Sequence, residues 1–130
     1  MSNNKIISVV IACYKDAPAI PIMHERLTQV FNKIGFNYEI IFVNDGSPDN
    51  SESILRKICD IDAKTTAILH SRNFSSQNAF ISGMSQSIGD AVVLLDGDLQ
   101  DPPELIEKFV QKWSEGYDVV YGIRLGGQPT

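Results

Sequence analysis

Residues 91–104 read AVVLLDGDLQDPPE, an apolar run that ends in alternating acids and is followed by two prolines. The apolar part is too short to span a bilayer, and its composition predicts a strand buried on both faces of a parallel sheet. Asp96 and Asp98 follow the carboxyl end of that strand, which is where open α/β sheets bind ligands. Two carboxylates one residue apart suit a divalent cation, although a solvated turn rich in Asp and Gly has the same composition.

The segments on either side alternate between strand and helix patterns. Short β-branched runs predict strands over residues 6–12, 38–43, 65–70 and 118–122, in addition to 91–95. Apolar residues at helical spacing predict four helices between these strands. The first ends near Gly35 and the second covers residues 51–62. The third has its apolar positions at Phe80, Ile81, Met84 and Ile88, and the fourth starts at Pro102 or Pro103.

This alternation, with no hairpin signal, predicts an α/β fold with a Rossmann-like, doubly wound, mainly parallel sheet. With the strand order 3-2-1-4, the chain changes direction between strands one and four and leaves a crevice above their carboxyl ends. Residues 13–17, Asp45 and the acids after strand four are then expected to converge at that crevice.

The size and charge of the chain restrict its class. The sequence has 130 residues, 43% of them hydrophobic, and a net charge of −5. We expect one domain over residues 1–130 with a packed core, and the acidic balance argues against a nucleic-acid partner. No signal peptide or transmembrane segment is predicted, and Cys13 and Cys59 lack metal or redox spacing, which favours a reduced intracellular protein. The loop composition of residues 125–130 suggests one part of a longer protein.

Two common phosphate-binding motifs are missing from the sequence. No G-x-G-x-x-G follows the first strand and no G-x-x-x-x-G-K-[ST] occurs, so phosphate would have to be bound through a metal or through local basic groups. Asp101 is interpreted as a helix N-cap and Glu104 as a first-turn charge. His24 and His70 have no Cys, His or Asp constellation in the sequence and are interpreted as structural.

Several loop residues have two interpretations each. Asp45 could accept hydrogen bonds from a base or ribose, or could form an Asx turn. Arg72 could bind phosphate or be a solvated surface cation, and Tyr14 could stack on a base or pack at the sheet end. Ser47 is interpreted as a cap rather than as a nucleophile.

Four ordered segments, residues 10–16, 43–49, 71–74 and 96–104, together resemble the family 2 glycosyltransferases with a GT-A fold, and most of all the polyprenyl-phosphate branch. The resemblance extends from Ile6 to Arg124. It implies a UDP- or GDP-sugar donor, Mg²⁺ or Mn²⁺, and inverting transfer to a glycan hydroxyl or a polyprenyl phosphate. It also implies a cytoplasmic location, at the membrane face in the full-length protein, and a general base beyond Thr130.

The resemblance further implies a set of site residues. Asp98 and Asp96 would hold the metal, with Asp96 also near the donor ribose, and Gln100 would face the sugar. The donor-binding residues implied in this way are Ala12, Tyr14, Asp16, Asp45, Ser47, Arg72, Asp96 and Gln100.

Some positions depart from the common family pattern. Asn44 stands where the family often has Asp, residues 15–16 where it often has Asn-Glu, and Ser75 where a Gly often follows Asn-Phe. Two other hypotheses remain open at this point. One is a nucleotide-binding module without catalysis, and the other is a flavodoxin-like or response-regulator-like signalling domain.

Overall fold

Strands and helices alternate along the chain. The computed structural model describes residues 5–116, and the predicted strand over residues 118–122 lies outside them. The elements within the described range are β1 (Ile6–Cys13), α1 (Ala19–Ile34), β2 (Asn37–Asn44), α2 (Ser51–Ile61), β3 (Thr65–Leu69), α3 (Ser76–Gln86), β4 (Ala91–Asp96) and α4 (Leu105–Ser114).

The four described strands form one parallel sheet in the order β3-β2-β1-β4, which confirms the predicted fold class and strand order. In the register of this sheet, Cys13 lies beside Asn44 and Ala12 lies beside Asp96. The carboxyl ends of β1, β2 and β4 therefore meet at one edge of the sheet.

Helices cover both faces of the sheet, as a doubly wound fold requires. Successive side chains of a strand point to opposite faces, and β1 shows this clearly. Val9 and Ile11 pack in the larger core with α1, α2 and α4, whereas Val10 and Ala12 pack in the smaller core against α3. β1 is the central strand of both cores, and nearly all of its residues are buried.

The ends of α1 and α4 differ in how well the sequence predicts them. Gly35 has a left-handed φ of 77° and donates its N–H to Phe31, so it ends α1 as predicted. The prediction for α4 was wrong by two to three residues: the prolines lie in the turn that precedes the helix, and the helix begins at Leu105. Asp101 is therefore not its N-cap, and Glu104 instead forms a bidentate ion pair with Arg26 of α1.

Two predictions about burial were also wrong. β4 was expected to be buried on both faces, but Val92 and Leu94 are 40% and 43% exposed because α3 lies mainly over β1 and β2. In α3, Ile81, Met84 and Ile88 were expected to face inward, but all three are exposed and the buried residues are Ala79 and Gly83. The helix also ends at Gln86, before Ile88.

Gly83 explains the arrangement of α3. A Cβ at this position would lie 2.2 Å from Cγ1 of Val10, so the helix backbone approaches the sheet more closely than a larger residue permits. Ala79 and Gly83 make the closest contact, and of the four predicted apolar positions only Phe80 packs, partly buried, against the smaller core.

Candidate functional site

The loops that follow β2, β3 and β4 begin in register with the sheet. One residue past the strand ends, the N–H of Asp45 donates to the carbonyl of Cys13, that of His70 to Asn44, and that of Gly97 to Ala12, each at 2.9 Å. The strand ladder thus continues into the loops. It fixes the first residue of each of these three loops relative to its neighbouring strand.

A crevice of about 310 Å³ opens where these loops meet, between β1 and β4 at the reversal of the strand order. It brings together six of the residues implied by the sequence, and Cys13, Asn73, Ser75, Ser76 and Gly97 complete its lining. The six are Ala12, Tyr14, Asp16, Asp45, Asp96 and Asp98. Ser47, Arg72 and Gln100 belong to the same loops but are not among the residues that line the crevice.

Asp45 is the most deeply buried acid of the crevice, with 1% of its surface exposed. Its Oδ1 accepts hydrogen bonds from the backbone N–H of Phe74 at 3.0 Å and from Nδ1 of His70 at 2.9 Å, and its Oδ2 accepts from the N–H of Ser75 at 2.9 Å. Burial alone would raise the pKa of Asp45, but these donors outweigh burial and the pKa is lowered. Asp45 is therefore an ionised acceptor that holds the loop after β3.

Asp16, Asp96 and Asp98 form the acidic side of the crevice. The pKa of Asp16 is raised, first by burial and then by the charges of Asp98, Asp49 and Asp96, although the N–H of Tyr14 bonded to its Oδ2 at 3.0 Å opposes this. Mutual repulsion of this kind would be relieved by a cation. Carboxylate oxygens are the ligands that Mg²⁺ and Mn²⁺ prefer, so the donor set fits a divalent ion. Within residues 5–116, no group of three or more His, Cys, Asp or Glu residues is placed to hold a metal ion.

Gly97, between the two acids, is required by packing. A Cβ there would lie 2.9 Å from Sγ of Cys13, 3.0 Å from the carbonyl oxygen of Ala12 and 3.1 Å from Oδ2 of Asp16. Only glycine lets the loop after β4 approach the loop after β1 this closely. The Asp-Gly-Asp sequence therefore has a steric reason in addition to its charge.

The loop after β1 is tied to the loop after β2 through Ser47. Lys15 has a left-handed φ of 60°, and its N–H donates to Oγ of Ser47 at 2.8 Å. The hydroxyl of Ser47 donates to Oδ1 of Asp49 at 2.6 Å, and the other oxygen of Asp49 accepts from the N–H of Ala17 at 3.2 Å. Ser47 thus acts as a structural bridge between the two loops, and it is not the cap of α2, whose N-cap is Asn50.

The loop after β3 is held in a strained conformation. Ser75 has φ 115° and ψ 157°, a region that residues other than glycine rarely adopt. Gly46 has φ 69°, and a Cβ there would lie 2.2 to 2.6 Å from backbone atoms of Arg72 and Asn73. Contact between the two backbones, together with the hydrogen bonds to Asp45, maintains this loop. Arg72 extends from it with its guanidinium over the ring of Phe74, 4.6 Å from the centroid.

The sequence showed no constellation around either histidine, but in the structure each of them contacts an aspartate. Nε2 of His24 lies 2.7 Å from Oδ2 of Asp62 and joins α1 to the segment after α2. His70 contacts Asp45, as described above, and its Nε2 lies 2.8 Å from Oγ of Ser82. The sequence did contain a signal for His70, because it is the last residue of a predicted strand and therefore lies at a carboxyl strand end, close to which Asp45 also lies.

Cys13 lines the crevice but is unsuited to nucleophilic chemistry. Its side chain is 1% exposed, and burial, followed by the charges of Asp16 and Asp49, raises the pKa of its thiol well above the ordinary range. Cys13 and Cys59 are both free thiols. The expectation of a structural, reduced Cys13 agrees with this environment.

A parallel sheet wound on both faces, with carboxylates grouped at its reversal point, defines a Rossmann-like α/β protein that binds its ligand at the strand ends. The comparison with family models then identifies the family. The chain belongs to glycosyl transferase family 2, whose model matches residues 8–129.

Individual relatives are consistent with this assignment. The uncharacterized glycosyltransferase YkcC of Bacillus subtilis is 45% identical over 124 residues, which are 95% of this chain and 38% of that protein. An undecaprenyl-phosphate 4-deoxy-4-formamido-L-arabinose transferase of Pectobacterium atrosepticum is 41% identical over 127 residues, 97% of this chain and 39% of the relative. The chain therefore spans less than half the length of these relatives.

Solved structures share the fold. The mannosyltransferase PcManGT from Pyrobaculum calidifontis, solved in complex with GDP-Man and Mn²⁺, superposes with a TM-score of 0.62 at 20% identity over 71% of this chain and 27% of that one. S. aureus TarS, residues 1–349, superposes with a TM-score of 0.57 at 18% identity over 84% of this chain and 32% of that one. The chain has the GT-A fold, as the sequence resemblance implied.

Proposed function

We propose that this chain is the nucleotide-sugar-binding domain of a cation-dependent, inverting glycosyltransferase, and that residues 1–130 form one part of a longer enzyme. The coverage of the relatives supports the second point, since the chain matches 38% and 39% of their lengths. The general base would lie in the remaining part of the enzyme. The observation that carries the proposal is the convergence of Asp16, Asp45, Asp96 and Asp98 in a single crevice of a family 2 chain.

The nucleoside would bind on the β1 and β2 side of the crevice. Tyr14 is 40% exposed there and offers a ring face for stacking on a base. Asp45 is an ionised acceptor beside it, suited to an N–H of the base or a hydroxyl of the ribose. Its rigid attachment to the next loop would orient the acceptor before the ligand arrives.

The diphosphate would bind between the acids and α3. Ser75 and Ser76, the N-cap and first residue of α3, line the crevice, so the N-terminus of the helix lies at the site. Helix N-termini favour anions because their backbone N–H groups and the helix dipole are positive there. Arg72, in the loop that precedes α3, is a nearby cation that could pair with phosphate oxygens.

Asp98 and Asp96 would hold Mg²⁺ or Mn²⁺. Asp98 is exposed and Asp96 is half-buried at the mouth of β4, so both can reach a ligand in the crevice. The cation would neutralise the charge that develops on the departing nucleoside diphosphate. The chain itself contributes the fixed separation of the two carboxylates across Gly97. Gln100, whose N–H donates to Oδ1 of Asp98 at 3.1 Å, would help to orient that carboxylate toward the sugar side.

The acceptor would be a polyprenyl phosphate, as the name of the Pectobacterium relative suggests. The full-length enzyme would then act at the cytoplasmic face of a membrane. None of the helices in residues 5–116 combines the length and hydrophobicity that crossing a bilayer requires. A glycan hydroxyl is the alternative acceptor.

Calorimetric titration of the chain tests the donor-binding proposal. UDP and GDP are titrated with and without Mn²⁺, and one of them should bind in the micromolar to millimolar range with clear dependence on the cation. Asp98→Asn should remove that dependence, whereas Asp101→Asn, three residues away and outside the crevice lining, should preserve it. If nucleotide affinity is the same with and without Mn²⁺ and is unchanged by Asp98→Asn, the metal role is refuted. If neither nucleotide binds, the donor site is refuted.

A further inference from the structure

His70 lies behind the crevice, in contact with Asp45 and with α3. Its Nδ1 lies 2.9 Å from Oδ1 of Asp45, its Nε2 lies 2.8 Å from Oγ of Ser82, and its ring makes an edge contact with Phe74 at a centroid distance of 5.3 Å. Three separate contacts thus fix the position and tilt of one imidazole. The chain Asp45–His70–Ser82 links β2, β3 and α3.

The chemistry of the partners determines the direction of these hydrogen bonds. A carboxylate can only accept, so Nδ1 of His70 must carry the hydrogen that it donates to Asp45. Neutral His70 is then the Nδ1–H tautomer, and its Nε2 accepts from the hydroxyl of Ser82. Asp45 therefore selects the tautomer, and Ser82 satisfies the remaining ring nitrogen and fixes the orientation of the imidazole, as an outer partner does in many histidine sites. Ser82 is half-buried on α3 and does not line the crevice, so the arrangement does not suit a serine nucleophile.

The consequence for Asp45 is an unequal use of its two oxygens. Oδ1 accepts from both His70 and Phe74, whereas Oδ2 accepts one hydrogen bond within residues 5–116, from Ser75. A carboxylate oxygen has about two acceptor positions. Because His70 occupies the second position on Oδ1, the remaining acceptor capacity of Asp45 belongs to Oδ2.

We infer that His70, held by Ser82, is a positioning residue that orients Asp45 so that Oδ2 accepts a hydrogen bond from the nucleoside of the donor. This inference rests on the proposed nucleotide site. It assigns to His70 and Ser82 an effect on ligand affinity that is separate from their contribution to folding.

Variants of His70 test the inference in Mn²⁺-containing titrations with UDP and GDP. His70→Leu removes both hydrogen bonds and should weaken the better nucleotide about tenfold, the effect of losing one hydrogen bond to a charged group. His70→Asn places an amide N–H near the position of Nδ1 and should restore affinity to within about threefold. Ser82→Ala, which leaves the imidazole in place, should cause a smaller loss of roughly threefold.

The second histidine provides a matched control. His24→Leu breaks a histidine–aspartate contact of similar length, to Asp62, that lies outside the crevice lining. It should lower the free energy of unfolding, measured in urea, without changing nucleotide affinity. If His70→Leu folds and binds like the wild type, or if affinity follows stability equally in both histidine variants, the inference is refuted. Should His70→Leu fail to fold, wild-type affinity in Ser82→Ala would refute it as well.

The imidazole itself gives an independent readout. Nitrogen-15 NMR of the ring should show the Nδ1–H tautomer in the wild type, with a change of the ring signals when the nucleotide is added. Finding the Nε2–H tautomer would contradict the inference. If the wild-type chain binds neither UDP nor GDP, the proposed function is refuted. If it binds a nucleotide and the His70 variants bind equally well, only the inference about His70 is refuted.

Discussion

Gly46→Ala should destabilise this protein much more than an ordinary glycine substitution in a turn. An alanine at φ 69° carries the left-handed penalty of roughly 1–2 kcal/mol. Its Cβ would also lie 2.2, 2.5 and 2.6 Å from backbone atoms of residues 72 and 73. Carbon atoms normally pack no closer than about 3.5 Å, so the loop would have to retreat by about 1 Å, and overpacking of this kind costs about 1–3 kcal/mol. We expect a total loss of about 3 kcal/mol in the free energy of unfolding.

Gly35→Ala separates the two contributions. Gly35 has a similar φ of 77°, but an added Cβ there meets nothing within 4 Å. Urea unfolding should therefore show a loss of only about 1 kcal/mol for Gly35→Ala. In nucleotide titrations, Gly46→Ala should also lose affinity because the displaced loop carries the N–H groups bonded to Asp45, whereas Gly35→Ala should not. Equal stability losses in the two variants would show that the contact between the loops is unimportant.

Three further substitutions test other features. Ser75→Gly should stabilise the protein by about 1 kcal/mol in urea unfolding, because it relieves the backbone strain at φ 115°. Replacing the serine N-cap of α3 by glycine costs only a few tenths of a kcal/mol. A loss of stability would contradict the presence of strain. Gly83→Ala should lower the free energy of unfolding by about 1–3 kcal/mol because its Cβ would clash with Val10. Adding Val10→Ala should recover part of that loss, and strictly additive effects of the two substitutions would show that the clash is absent. Burial raises the pKa of Asp49, but the hydrogen bonds that its carboxylate accepts outweigh burial and lower the pKa below 3.8. The ionised carboxylate therefore stabilises the fold above that pH, and this contribution is lost as the pH falls through the folded-state pKa. Asp49→Asn should therefore be less stable than the wild type at pH 7, with a gap that narrows below pH 3.8 in acid unfolding.

The strand order and the location of the crevice could be predicted because they follow from short-range patterns and a topological rule. β-branched runs separated by helical periods leave few arrangements of a parallel sheet, and Asp45 and Asp96 lie at the carboxyl ends of strands. The same rule applied to His70 would have placed it at this edge. Its partner Ser82, however, is brought there only by the packing of α3.

The inward face of α3 could not be predicted from hydrophobic periodicity. Ile81 and Met84 satisfy the helical pattern, but Ala79 and Gly83 make the contact because the close approach to Val10 leaves room only for small side chains. Similarly, an apolar run predicts that a strand such as β4 is in a sheet, but not whether a helix covers each of its faces. Such features depend on distances between elements, which a single sequence does not contain.

The backbone hydrogen bonds that continue the strand ladder past the ends of β2, β3 and β4 determine which parts of the site can open without unfolding of the sheet. The amides of Asp45, His70 and Gly97 each donate to a neighbouring strand, whereas the amide of Lys15 donates to a side chain. Hydrogen exchange at the first three should therefore require separation of the strands themselves, with opening free energies close to that of global unfolding. Exchange at Lys15 should need only local motion of its loop. Asp45 and Asp96 would then keep their spacing for as long as the sheet survives, whereas Asp16 would move with the loop after β1, which can open and close many times over a ligand.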